Sequence, residues 1–228
     1  MFNIKNTTEL LQNLQDTPMS PHYTFASLDI TNLYSNIPII ETKTILTDTL
    51  KYYQTDPKTQ KELLMWYDVI TRLNYFTQNS DITSHYYGLA MGASSAGLIA
   101  ELFLQHTENT HLAWLSQKHK IINYFRYVDD ILLIFDPDHT DIQIILTDFN
   151  TLHPNLLFTA ESERDNIINC LDISIHKTPK GLKTSTLRKP TFTDSIIPYT
   201  SNHPTQHKYA VVRFLYNKLN SYNLQKQE

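Results

Sequence analysis

The 228 residues suffice for one large domain, and 41% apolar with 18% charged residues fits a globular core rather than a disordered chain. Four glycines leave almost no material for a glycine-punctuated dinucleotide fold or phosphate loop, and one cysteine, Cys170, excludes an intramolecular disulfide framework or a cysteine-rich zinc site. The formal net charge of −4 divides into −11 over residues 1–175 and +7 over residues 176–228, so an acidic body stands beside a basic segment suited to a polyanion or to plain solvation. In chain order, residues 23–30, YTFASLDI, predict a buried strand ending at Asp29 or Ile30. A turn at Ser35 and Asn36 leads to Pro38, near the first position of a helix reaching about Gln54. Asp56 and Pro57 repeat that start signal, and Leu63, Leu64, Tyr67, Ile70 and Leu73 keep helical spacing to about Asn74. NYFTQNSDITSHYYG predicts a hairpin around Asn79 and Ser80, followed by a loop carrying Gly88 and Gly92 and a helix from Ser95 to Gln117.

Residues 121–136 form two apolar runs broken by Asp129 and Asp130, which predicts a hairpin with carboxylates at its tip. A helix from Thr140 to Leu152, strands near 156–161, 167–176 and 182–188, and a helix near 205–220 complete the chain. This order implies an α+β domain, an antiparallel sheet covered by helices on one face, with a body over residues 1–178 and a basic segment over 179–228. No apolar run approaches the roughly 18 residues of a membrane helix, and MFNIKNTTELLQN lacks the form of a signal peptide. An intracellular setting, nuclear or cytoplasmic, is therefore expected.

Aspartate is a common turn residue, but tight hairpin turns favour glycine at their second position, and adjacent carboxylates repel. A cation between them relieves that repulsion. Asp29 ends a buried strand, and laying that strand beside the hairpin would bring three carboxylates to one sheet edge. Oxygen donors without histidine or cysteine partners select Mg²⁺ or Mn²⁺ over Zn²⁺.

Tyr127-Val128-Asp129-Asp130 resembles the YxDD box of reverse transcriptases, and LDITNLYSNIP (Leu28 to Pro38) resembles the first palm motif of the Penelope-like retroelement branch, related to telomerase. GLAMGASSAGLIAELFLQHTE, from Gly88, is similar to that branch's second palm motif, although Ser94, Ala96 and Gly97 depart from its common pattern. HPNLLFTAESERDNIINCLDISI and RKPTFTDSIIPYTSNHPTQHKYAVVRFLYNKL resemble the segments downstream of the catalytic hairpin in those elements.

The resemblance implies a polymerase palm, followed by a short thumb-like segment, that directs DNA synthesis from an RNA template and DNA primer with dNTPs. It implies two Mg²⁺ or Mn²⁺ ions bridged by Asp29 and Asp129, with Asp130 as a supporting ligand and the Ile30 carbonyl as a further one. Tyr34 would be the steric gate against the ribose 2′-OH, with Gly92, Ala93 and Tyr127 at the nucleotide. Gly88 would allow close approach of template or base, and Leu171 and Asp172 would grip the primer. Arg188, Lys189, His203, His207, Lys208 and Arg213 would meet phosphates, while Tyr199 and Tyr209 would pack or stack. No lysine falls between Lys120 and Lys177, which leaves His153 as a general acid by position or as an ordinary loop histidine. About 28 residues precede Asp29, so most of the fingers are expected to be missing. The competing expectation is an inactive relic that at most binds nucleic acid.

Overall fold

The computed structural model describes residues 3–17, 19–72, 75–78, 81–84, 87–179, 181–187 and 196–221. The elements run α1 (Thr7–Asp16), β1 (Thr24–Ile30), α2 (Leu33–Asn36), α3 (Ile39–Tyr52), α4 (Pro57–Arg72), β2 (Tyr75–Gln78), β3 (Asp81–Ser84) and α5 (Ala96–His119). They continue with β4 (Ile121–Tyr127), β5 (Asp130–Phe135), α6 (Ile142–Phe149), β6 (Phe158–Ser162), β7 (Ile167–Cys170), β8 (Ile173–Thr178), β9 (Gly181–Thr186) and α7 (Thr205–Ser221). None of the described helices is long and apolar enough to cross a membrane.

An antiparallel sheet in the order β4-β5-β1-β6 forms the centre. Alternation along β1 and β5 sends two sets of side chains to opposite faces. Ala26, Leu28, Ile30, Ile131, Leu133 and Phe135 join one core with residues of α3, α5 and α6. Phe25, Leu132 and Ile134 join Phe125, α1 and the three-stranded sheet β7-β8-β9 in a second core. Burial on both faces explains why Ile131–Phe135 is an unbroken apolar run.

The α+β class and the antiparallel sheet agree with the sequence expectation, but the face opposite the helices is also covered along much of its length. Part of that cover is α1, in a stretch where no element was expected. Its helix starts at Asn6, whose side chain accepts from the Glu9 amide at 2.9 Å, and buries Leu10 and Leu14 one turn apart. The expected strand over 167–176 is two strands joined at Leu171 and Asp172, and a one-turn α2 precedes α3. Strand β9 pairs with β8 from Thr178↔Gly181 onward, so a division at 178/179 falls inside a hairpin. The expected β2–β3 hairpin is paired, and its tip at Asn79 and Ser80 lies outside the described residues.

Candidate active site and nucleic-acid face

Asp130 opens β5 and stands opposite Asp29 on β1 and opposite Tyr127 on β4, while Asp29 also faces Thr159 on β6. Residues paired across antiparallel strands share a face, so Tyr127, Asp130, Asp29 and Thr159 form one row across the sheet end, ~14 Å long. The second core leaves this row open: Asp29, Asp130, Tyr127 and Thr159 are all exposed. The hairpin tip is Val128 and Asp129, a correction to the expectation that both aspartates share it. The Ile30 amide donates to the Asp129 carbonyl at 3.2 Å, which ties the tip to the end of β1. Ile30 itself is buried and ends its strand.

The electrostatics agree with convergence. Partial desolvation, and then the like charge of Asp129, push the Asp29 carboxyl above its ordinary value. An oxygen-only donor set whose charges oppose one another suits a hard divalent cation better than Zn²⁺. Asp29, Asp129 and Asp130 do not close to within 4.8 Å of one another, however. Among the described residues, that spacing is met by His22, Asp136 and Asp138, at the other end of β1 and β5. There His22 Nε2 lies 3.2 and 2.9 Å from Asp136 and Asp138, and His139 Nδ1 lies 3.0 Å from Asp136. These contacts tie the turn before β1 to the turn after β5. The Asp136 carboxyl is lowered, first by the Asp138 amide and then, despite slight desolvation, by the two histidines.

A second turn of the same form borders the row. Val128 (φ 56°) and Leu171 (φ 55°) both occupy the left-handed region in first turn position, each followed by aspartate. A bulky residue there costs ~1–2 kcal/mol unless its surroundings fix it. Burial, then the charges of Asp130 and Asp172, push the Cys170 thiol up to about 12, so it packs as an inert apolar group and marks how near the two turns lie. Thr7 Oγ1 donates to Asp172 Oδ1 at 2.6 Å, anchoring this turn to α1.

No protein-family model and no curated protein sequence matches this chain. Solved structures do match it. Apo telomerase from Candida tropicalis truncated from its C-terminal domain superposes with a TM-score of 0.60 at 10% identity, over 81% of this chain and 41% of that one. Telomerase from Candida tropicalis in complex with a TWJ fragment of telomeric RNA gives 0.60 at 11% identity, over 96% and 38%. The corresponding complex from Candida albicans gives 0.57 at 11%, over 80% and 35%. This chain has a reverse-transcriptase-like fold. It spans about two-fifths of the length of the telomerase chains it matches.

Within this reverse-transcriptase-like fold, Tyr34 lies on α2 and is half-buried against the helix-side core, and its carbonyl accepts from the Leu89 amide at 2.7 Å. Gly88 (φ 67°) is buried and tightly approached: a Cβ there would lie 2.2 Å from the Ser35 carbonyl oxygen. The close approach it permits here is to the chain's own backbone at Ser35. Gly92 and Ala93 are exposed in the same loop.

His153 lies 3.0 Å from Glu41 through Nε2, accepts from the Asn155 amide through Nδ1 and packs edge-on against Phe103. It braces α3 and α5. Arg188 and Lys189 lie outside the described residues. His203, His207 and Arg213 are exposed, while Lys208 donates to the Tyr199 carbonyl at 2.6 Å and sits over that ring. Tyr209 is exposed on α7, as are Val212, Phe214 and Leu215.

Sequence reasoning missed Arg126, which is fully buried in β4 beneath α5. Its Nε donates to Glu108 Oε1 at 2.6 Å. The two terminal nitrogens reach Glu101 at 2.9 and 3.0 Å, Glu108 at 3.0 Å and the Val128 carbonyl at 3.2 Å. The signal was an arginine inside an apolar strand with two glutamates seven residues apart on the preceding helix. Thr159 was also missed, because nothing local marks which strand flanks β1.

Proposed function

We propose that the chain is the palm of an RNA-directed DNA polymerase of the Penelope-like kind, adding dNTPs to a primer 3′-OH on an RNA template. The observation that carries this reading is the row Tyr127, Asp130 and Asp29, with Asp129 at the adjoining turn, at the open end of a telomerase-like sheet. Two Mg²⁺ or Mn²⁺ ions, when bound, would activate the 3′-OH and neutralise charge on the triphosphate. Asp29 and Asp129 would hold them, Asp130 would lend its charge from the same edge, and the Ile30 carbonyl would add a neutral oxygen at the strand end.

Tyr34, held on α2, fills the space of a ribose 2′-OH, and Gly92, Ala93 and Tyr127 border the nucleotide. The Leu171–Asp172 turn steadies the primer end. The positive charge of the C-terminal segment, including Arg188, Lys189, His203, His207, Lys208 and Arg213, meets the phosphates of the duplex. Positioning and charge neutralisation supply the acceleration, so the chain needs no covalent intermediate.

The test is extension of a DNA primer annealed to RNA, with Mg²⁺ and dNTPs, by this chain and its Asp129→Ala variant. Extension lost in the variant is expected. Primer–template binding with no Asp129-dependent extension would instead support the reading of an inactive nucleic-acid-binding relic.

A further inference from the structure

We propose that Arg126 is a positioning residue for Asp129, selecting the turn geometry that aims the Asp129 carboxylate toward Asp29. The inference rests on the metal-binding reading of that carboxylate pair. All five N–H donors of the guanidinium are used: four bonds go to Glu101 and Glu108 on α5 and one to the Val128 carbonyl. The Val128 oxygen belongs to the central peptide of the Tyr127–Asp130 turn.

Two-residue hairpin turns of types I′ and II′ differ by a rotation of that peptide, since I′ needs positive φ at both central residues and II′ only at the first. Val128 has positive φ and Asp129 does not, which is the type II′ form. Pinning the carbonyl from beneath holds this form. Releasing it would let the peptide turn over, carry Asp129 into the left-handed region and re-aim its carboxylate. Because Glu101 and Glu108 lie two helical turns apart on α5, the tip is referenced to a long helix packed on the sheet rather than to solvent. Tyr124, which donates to Glu108 Oε1 at 2.8 Å, fixes the same carboxylate.

Mn²⁺ binding to the full chain, read as loss of the free-ion electron paramagnetic resonance signal, tests this. Arg126→Lys keeps the charge but loses the fork. A triple variant, Arg126→Met with Glu101→Gln and Glu108→Gln, leaves no uncompensated buried carboxylate and so protects the fold. Ile145→Val, in the helix-side core but away from the turn, controls for packing loss.

Asp129-dependent Mn²⁺ binding is expected in the wild type, weakened at least ~10-fold in both Arg126 variants and little changed in Ile145→Val. The amide to Hα coupling of Asp129, which reads its φ without metal, should shift in the Arg126 variants alone. Wild-type Mn²⁺ affinity and unchanged coupling in both Arg126 variants would overturn the proposal. If the wild type shows no Asp129-dependent binding, the metal reading fails, while the coupling still decides whether Arg126 sets the turn.

Discussion

A methyl group at Gly88 would have to occupy space already held by the Ser35 carbonyl, carbon and Cα, at 2.2 to 2.6 Å, on a backbone with φ of 67°. Backbone cannot yield as a side chain end can. Gly88→Ala should therefore cost ~2–4 kcal/mol in denaturant unfolding, whereas Gly92→Ala, with open space around it, should cost ~1 kcal/mol for its left-handed φ alone. The sequence showed that backbone closeness mattered at Gly88, but not which backbone, because the partner is 53 residues away. Asp29 carries the opposite kind of constraint, a charge the fold disfavours. Its folded value lies above the unfolded one, so the folded state binds more protons and stability falls as pH rises through that window. Asp29→Asn should raise the melting temperature at pH 7 by ~1–2 °C, a figure kept small by solvent screening, and the gain should vanish as pH falls below the ordinary carboxyl range. An unchanged or lower melting point at pH 7 would show that neither desolvation nor Asp129 disfavours the charged form of Asp29.

Among the elements, α2 is one turn long and owes its place to the Leu89 amide and the Gly88 approach rather than to helix propensity. Its Tyr34 ring is therefore presented by a loop 54 residues downstream. Tyr34→Ala should raise rNTP over dNTP incorporation at least ~10-fold, about 1.4 kcal/mol of relieved collision, in primer extension. Equal loss with both substrates and a lower melting point would make Tyr34 plain packing. Helices α3 to α7, β1 and the β4–β5 hairpin were legible because periodicity and the Asp129-Asp130 interruption are local signals. The Cys170–Ile173 turn was not, since Leu171 in a left-handed turn position is not a residue that turn chemistry favours, and only its neighbours hold it there. The first helix was not expected: its cap and apolar pair, Asn6, Glu9, Leu10 and Leu14, are local, but its face finds a partner only in a sheet completed much later.

At the scale of the molecule, an acidic sheet end is followed by a basic C-terminal segment whose last helix is exposed along almost all its described length. Primer–template affinity should fall steeply and linearly in log–log form with salt, and deletion of residues 188–228 should abolish it. Binding that survives the deletion undiminished would place the duplex elsewhere. The charge division was plain in the sequence, as was the antiparallel class, but the second layer of α1 and β7-β8-β9 was not, because an apolar run buried on both faces reads the same as one buried in a single layer.

The pairing of β1 with β5 also sets a timetable. Asp29 leaves the ribosome about 100 residues before Asp130, roughly 5–20 s at ordinary synthesis rates, and β1 has no strand partner until β5 arrives. Throughout that interval Phe25, Leu28 and Ile30 are a nascent apolar strand with two open edges, so the segment that carries the first site carboxylate must stay unpaired until β5 is made.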